Sequence, residues 1–221
     1  MKLNSNIMSF SLVVIILICL SSCNSKTNLD YTSLKAELES IHDNDQKYRD
    51  IMGEMAEIHG WKSKEVDSVG VLLKKQDSIN TDKISMILEK HGWLSEAQVG
   101  EKANEAIFLV IQHSNFTTQE KYLPIMRAAV KDGNARGKDL AYLEDKVALK
   151  KGEKQIYGTQ IGNDWKNNKP YVRPLVDPIN VDKRRKEVGL KSIEMYLTAW
   201  NLKWKPEEYI NNLEYYINLE N

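Results

Sequence analysis

Along most of the chain the apolar residues recur at helical spacing. Leu34, Leu38, Ile41, Asp45, Tyr48, Met52 and Met55 follow one another at alternating steps of four and three, which is one face of an amphipathic helix. Gly60 closes it. The pattern predicts a second helix over Lys64–Ile79 and a third over Thr81–Lys90, with Thr81 as its N-cap, and then a turn at Gly92-Trp93. Glu101–His113 comes next, and its centre, Ala106–Ile111, is apolar on every side. A helix with no polar face is buried. Thr118–Lys131 and Lys138–Lys150 read as two further helices, ended by Gly133 and Gly152.

The texture changes after Gly152. Gln155–Ile161, centred on Tyr157-Gly158-Thr159-Gln160, and the proline-flanked, β-branched segment Pro170–Val176 read as short strands able to pair. Gly158 inside the first marks either a bulge or a close approach by another backbone or a ligand. Asp177-Pro178 turns into a helix over Val181–Val188, stopped by Gly189. Ser192 caps another to about Asn201, and Pro206 opens the last, which carries Tyr209, Leu213, Tyr216 and Ile217. The fold class expected is mainly α with a small β-sheet or hairpin (α+β). It forms one multi-helix domain over residues 31–221, with the β element near 154–176.

The first thirty residues follow a different logic. Lys2 is the only charge before Lys26, and Met8–Leu20 is dominated by Val, Ile and Leu. This run is shorter than the ~20 apolar residues that span a bilayer, and it fits the ~7–15-residue core of a secretory signal. Leu20-Ser21-Ser22-Cys23 resembles a lipobox, where a lipoprotein signal is cut and the cysteine lipidated. Residues 1–22 are therefore expected to be a lipoprotein signal peptide, Cys23 the lipidation site and 23–30 a polar tether. Two or three acyl chains, at about 0.8 kcal/mol per buried methylene, make the membrane a permanent partner. The domain is thus expected in the cell envelope, and the lack of an acidic cluster after Cys23 favours the periplasmic face.

Composition removes several classes of function. With 31 Lys and Arg against 31 Asp and Glu, the chain lacks the basic excess of a nucleic-acid binder. Cys19 and Cys23 are its two cysteines. One leaves with the signal and the other takes lipid, so the domain has no thiol for a disulfide, zinc or covalent catalysis. Glu39 and His42 make a single Glu-x-x-His, whereas a di-iron bundle needs two such pairs and two more glutamates. Gly-x-Ser-x-Gly and phosphate-binding glycine loops are absent. No metal and no cofactor is expected.

Polar residues at inward helical positions remain. Asp45 interrupts the apolar stripe of the first helix, and Asp145 lies in the small-residue stripe of Ala141, Ala148 and Leu149. Arg184 and Arg185 share a face with Val181 and Val188, and His113 ends the apolar helix beside Gln112. Buried charges must be paired or hydrogen-bonded, so the two arginines are expected to match Asp45 and Asp145. In one functional reading this cluster is an internal brace. The protein is then a binding or structural module for an envelope partner, its tail rich in aromatics (Trp200, Trp204, Tyr209, Tyr215, Tyr216). In the other, the cluster is an enzyme site or a pocket for a small polar ligand. Arg184 and Arg185 would hold an anionic group, and His113 would act as general acid or base, oriented by Asp45 or Asp145. Tyr157, Gln160 and Gln112 would supply hydrogen bonds. The first reading is favoured, because no complete catalytic constellation stands in the chain.

The same residues carry a family resemblance. Gly92-Trp93, Gln112-His113, Ala141-Tyr142-Leu143-Glu144-Asp145, Gln155-x-Tyr157-Gly158-Thr159-Gln160 and Asp177-x-x-Asn180-Val181-Asp182-x-Arg184-Arg185-x-x-Val188-Gly189-Leu190 form one motif series. It resembles bacterial lipoproteins of the domain-of-unknown-function family numbered 6624, over roughly Asp45 to Leu197. Leu94 stands where that family shows proline, and Lys146 where it shows arginine. The resemblance implies no activity. It does imply that the inward polar residues are the family's motif residues.

Overall fold

The computed structural model describes residues 31–220; the predicted signal, the tether and Cys23 lie outside them. The architecture is mainly helical with one small antiparallel hairpin. Helix α1 runs from Tyr31 to His59 and α2 from Lys64 to His91. Only Gly60–Ser63 separates them, so they return along each other. Gly60, at φ +82°, makes the turn, and the Ser63 hydroxyl accepts the Val66 N–H as the N-cap. At 1.5 Å per residue α1 is about 43 Å long.

The predicted break at Thr81 does not occur, and α2 is one helix through this point. Asn80 is buried inside it and accepts a hydrogen bond from the Gln76 amide. Packing against α1 overrides the weak helix propensity of Asn80-Thr81-Asp82.

A single turn, α3 (Glu96–Val99), is set by a capping box between Ser95 and Gln98. Helix α4 (Glu101–His113) follows as the buried centre, as its apolar run implies. Asn104 ties its start to the surrounding loops, donating to the Leu94 and Asn134 carbonyls. Helices α5 (Phe116–Lys131) and α6 (Gly137–Lys150) complete the bundle. Leu38, Ile41, Ile84, Ile107, Ile111, Tyr122, Met126 and Leu143 form its fully buried core.

The remainder builds a second apolar cluster. Strands β1 (Ile161–Asp164) and β2 (Lys169–Val172) pair antiparallel with Ile161 opposite Val172. A 3-10 turn at Pro178–Asn180 leads into α7 (Val181–Glu187). The helix after Ser192 is shorter than predicted: α8 covers Ile193–Leu197 and passes into a 3-10 turn at Thr198–Trp200. Helices α9 (Pro206–Asn211) and α10 (Leu213–Asn218) follow. Val172, Leu175, Val181, Ile193, Leu197 and Tyr209 are the buried members of this cluster. The Tyr209, Tyr216 and Tyr171 rings stack in sequence beside it.

Gln155–Gln160, predicted as strand, is instead a loop; it meets the segment after β2 through an isolated bridge between Gln155 and Leu175 and through hydrogen bonds to Arg173. Gly158 adopts φ +70°, and a Cβ there would lie 2.9 Å from Ile193 Cδ1. The left-handed backbone requires glycine here, and α8 packs closely against its open side.

Candidate functional site

The inward polar residues divide into two groups. The first begins with Asp45, fully buried halfway along α1. Its carboxylate lies 2.9 Å from His113 Nδ1 at the end of α4. Gln46 Nε2 donates to it at 2.7 Å, and Arg49 Nη1 is 3.7 Å away. Burial alone would raise the Asp45 carboxyl, but the His113 contact, Arg49 and Gln46 together hold it below its ordinary value. An ionised carboxylate accepts only, so the imidazole presents Nδ1–H to it. Nε2 is left without a hydrogen-bond partner among the described residues. The His113 side chain keeps 22% of its surface exposed.

The second group is closed. Asp145 accepts the backbone N–H of Ile156 at 2.6 Å, of Tyr157 at 2.9 Å and of Thr159 at 2.9 Å, and the Thr159 hydroxyl at 2.9 Å. The loop wraps around this carboxylate, which is why it cannot lie flat as a strand. Burial raises the Asp145 carboxyl above its usual range in spite of these donors. Gln155 supports the same loop, donating to the Gln160 and Arg173 carbonyls and accepting the Gln160 N–H. Gln160 Nε2 turns inward to Thr159 Oγ1. The Tyr157 phenol is pushed up to about 12 by burial and by Glu144.

The arginines do not pair with Asp45 or Asp145 as expected. Arg184 donates to the carbonyls of Ile156, Val176 and Asp177, with the Asp177 carboxylate 3.5 Å from Nη1. Arg185 is 1% exposed; its Nε donates to the Lys191 carbonyl and its Nη1 to the Tyr157 carbonyl. Its guanidinium lies 4.9 Å from the Tyr196 ring centre. Irregular backbone around 156–157, 176–177 and 191 leaves carbonyls that need donors, and a five-donor guanidinium meets several of them at once. Among the described residues no carboxylate forms an ion pair with Arg185, and its Nη2 has no hydrogen-bond partner. Burial pulls its pKa below the usual arginine value.

Arg185 and His113 meet in one cleft of about 660 Å³, at the seam between the two apolar clusters. Glu105, Phe108, Leu109, Gln112 and His113 of α4 form one wall. Tyr142 of α6 and Leu190, Lys191 and Tyr196 beyond α7 face it. The Gln112 side-chain oxygen is buried without a partner among the described residues, while its backbone carbonyl receives Lys146 Nζ at 2.6 Å. An open, largely apolar cleft with a few convergent polar groups suits a small ligand.

Of the predicted residues, His113, Gln112 and Arg185 line this cleft, and Asp45 supports it from behind. Asp145, Arg184, Gln160 and Tyr157 do not line it; they hold the loop on which Arg185 leans. Tyr142, Tyr196, Glu105 and Asp139 also line it, and of these only Tyr142 stands in the sequence motifs. Glu105, Phe108, Leu109 and Gln112 fall at helical steps of three, one and three, a polar-edged stripe hidden by the apolar run between.

Residues 32–204 match a family described as a family of unknown function (DUF6624). No curated protein and no solved structure matches the chain.

Proposed function

We propose that this protein, which belongs to the DUF6624 family of unknown function, is a lipid-anchored envelope protein whose seam cleft binds a small anionic ligand. The lipobox-like Leu20-Ser21-Ser22-Cys23 supports the anchor. One observation carries the ligand reading. Arg185 is buried, without a carboxylate partner or an Nη2 hydrogen bond among the described residues, and it lines the cleft that also holds His113. An isolated buried charge is costly, and an anion in the cleft would relieve that cost with a charge-assisted hydrogen bond. Asp145, Arg184 and Gln160 serve as the brace that presents Arg185.

A second, catalytic reading of the same cleft draws on the Asp45–His113 pair. A carboxylate that orients an imidazole and leaves Nε2 open is the arrangement used for proton transfer. In this reading His113 is the general acid or base and Asp45 its positioning residue.

Calorimetric titration of the full-length chain in detergent with phenylacetate, a carboxylate on an apolar ring, tests the ligand reading. Saturable binding is expected, weakened about tenfold or more by Arg185→Lys, which keeps the charge and loses the planar fork. His113→Gln, which leaves Arg185 in place, should weaken it less. Binding that is absent, or unaffected by Arg185→Lys in a folded variant, overturns it.

A further inference from the structure

The two ends of the cleft differ in chemistry, and the helices set the distance between them. Arg185 Nη1 bonds the Tyr157 carbonyl, and the Tyr157 N–H bonds Asp145, next to the Lys146 that reaches the Gln112 carbonyl. Arg185, Gln112 and His113 therefore lie toward the C-terminal ends of α4 and α6. At the other end Arg136 joins Asp139 at 2.6 Å to Glu105 at 3.0 Å and reaches Glu101 at 3.4 Å. Glu105 and Gln112 are about 10 Å apart along α4, at 1.5 Å per residue.

Three carboxylates share one guanidinium at the far end, with Lys138 on the rim. Glu105 lines the cleft with 37% of its side chain exposed; Arg136 bonds its Oε1 and His42 lies 3.9 Å from its Oε2, yet the three carboxylates outnumber Arg136 and Lys138 at this end. Phe108, Leu109, Tyr142 and Leu190 line the stretch between. The Gln112 oxygen is buried without a partner among the described residues, and Gln112 and Arg185 both line the cleft.

Resting on the reading of the cleft as an anion site, we infer that its ligand is a short zwitterionic peptide. The C-terminal carboxylate sits at Arg185, a backbone N–H on the Gln112 oxygen, apolar side chains against Phe108 and Leu109, and the α-ammonium toward Glu105 and Asp139. An extended chain advances ~3.3–3.6 Å per residue, so the span suits about three residues. A fatty acid or simple aromatic acid would engage Arg185 and the apolar middle, leaving Gln112 and the acidic end unmet.

The test is calorimetric titration of the full-length chain in detergent with alanyl-leucyl-alanine, its C-terminal amide, its N-acetyl derivative and phenylacetate. Amidation and acetylation should each weaken binding about tenfold or more, since each removes a charge-assisted hydrogen bond. Glu105→Gln should abolish most of the difference between free and acetylated peptide. If acetylated and free peptide bind alike while phenylacetate still binds through Arg185, the peptide inference is wrong and the anion site stands. If neither phenylacetate nor any peptide binds, both fall.

Discussion

His113 Nδ1 sits 2.9 Å from the carboxylate of Asp45, a residue 68 positions away in the chain. One lies at the end of the buried central helix and the other on the apolar stripe of α1, where Arg49 at 3.7 Å is the other cation beside the carboxylate. The contact does two things at once. It compensates a buried charge, and it turns the free edge of the imidazole away from α1.

The first prediction concerns acid stability. The folded Asp45 carboxyl titrates below its ordinary value of 3.8. Between these two values the unfolded chain binds more protons, so stability rises with pH through that window. The contribution is fully present above about pH 4 and is lost as pH falls through the depressed value. Urea unfolding of the wild type and Asp45→Asn between pH 3 and 6 checks this. The wild type should lose stability toward the acid end more steeply than the variant; parallel profiles would contradict it.

Asp145 makes a purely structural prediction. Asparagine would set an NH2 group against donors that now converge on a carboxylate, three backbone N–H groups and the Thr159 hydroxyl. Asp145→Asn should cost about 3–5 kcal/mol, because buried donors are left unsatisfied and charge-assisted bonds are lost. Chemical denaturation gives the value directly. Arg185 depends on this loop through the Tyr157 carbonyl, so the variant should weaken phenylacetate binding too, even at temperatures where it stays folded.

Much of this was legible in the sequence, and the part that was not has a common cause. Helical phase placed Asp45 and Asp145 on buried faces, and both are fully buried. It also placed Arg185 inward. Phase says that a side chain turns in, but it does not say what it meets. The partners of Arg184 and Arg185 are carbonyls of irregular backbone, which leave no trace in residue type. The same limit explains the misread strand at Gln155–Gln160: its alternation is real, but a carboxylate on α6 collects its N–H groups. Asn80-Thr81-Asp82 looked like a boundary because local propensity is weak there, and the long contact with α1 decides the matter instead.

The lipid anchor is tested apart from the cleft. Cells expressing the wild-type chain and fed radiolabelled palmitate should incorporate label into the protein and retain it in the membrane fraction. Cys23→Ala should abolish both. Label retained by the variant would refute lipidation at Cys23, and an unlabelled, released wild type would refute the anchor altogether.

The most direct measurement is side-chain nitrogen NMR of the full-length chain titrated with phenylacetate, because Arg184 is a control built into the molecule. Both arginines lie on α7, but only Arg185 lines the cleft. Saturable shifts at Arg185 and at His113 Nε2, with Arg184 unmoved, are the predicted result. Equal shifts at both arginines, or none at Arg185 under saturating ligand, would contradict an anion site in this cleft.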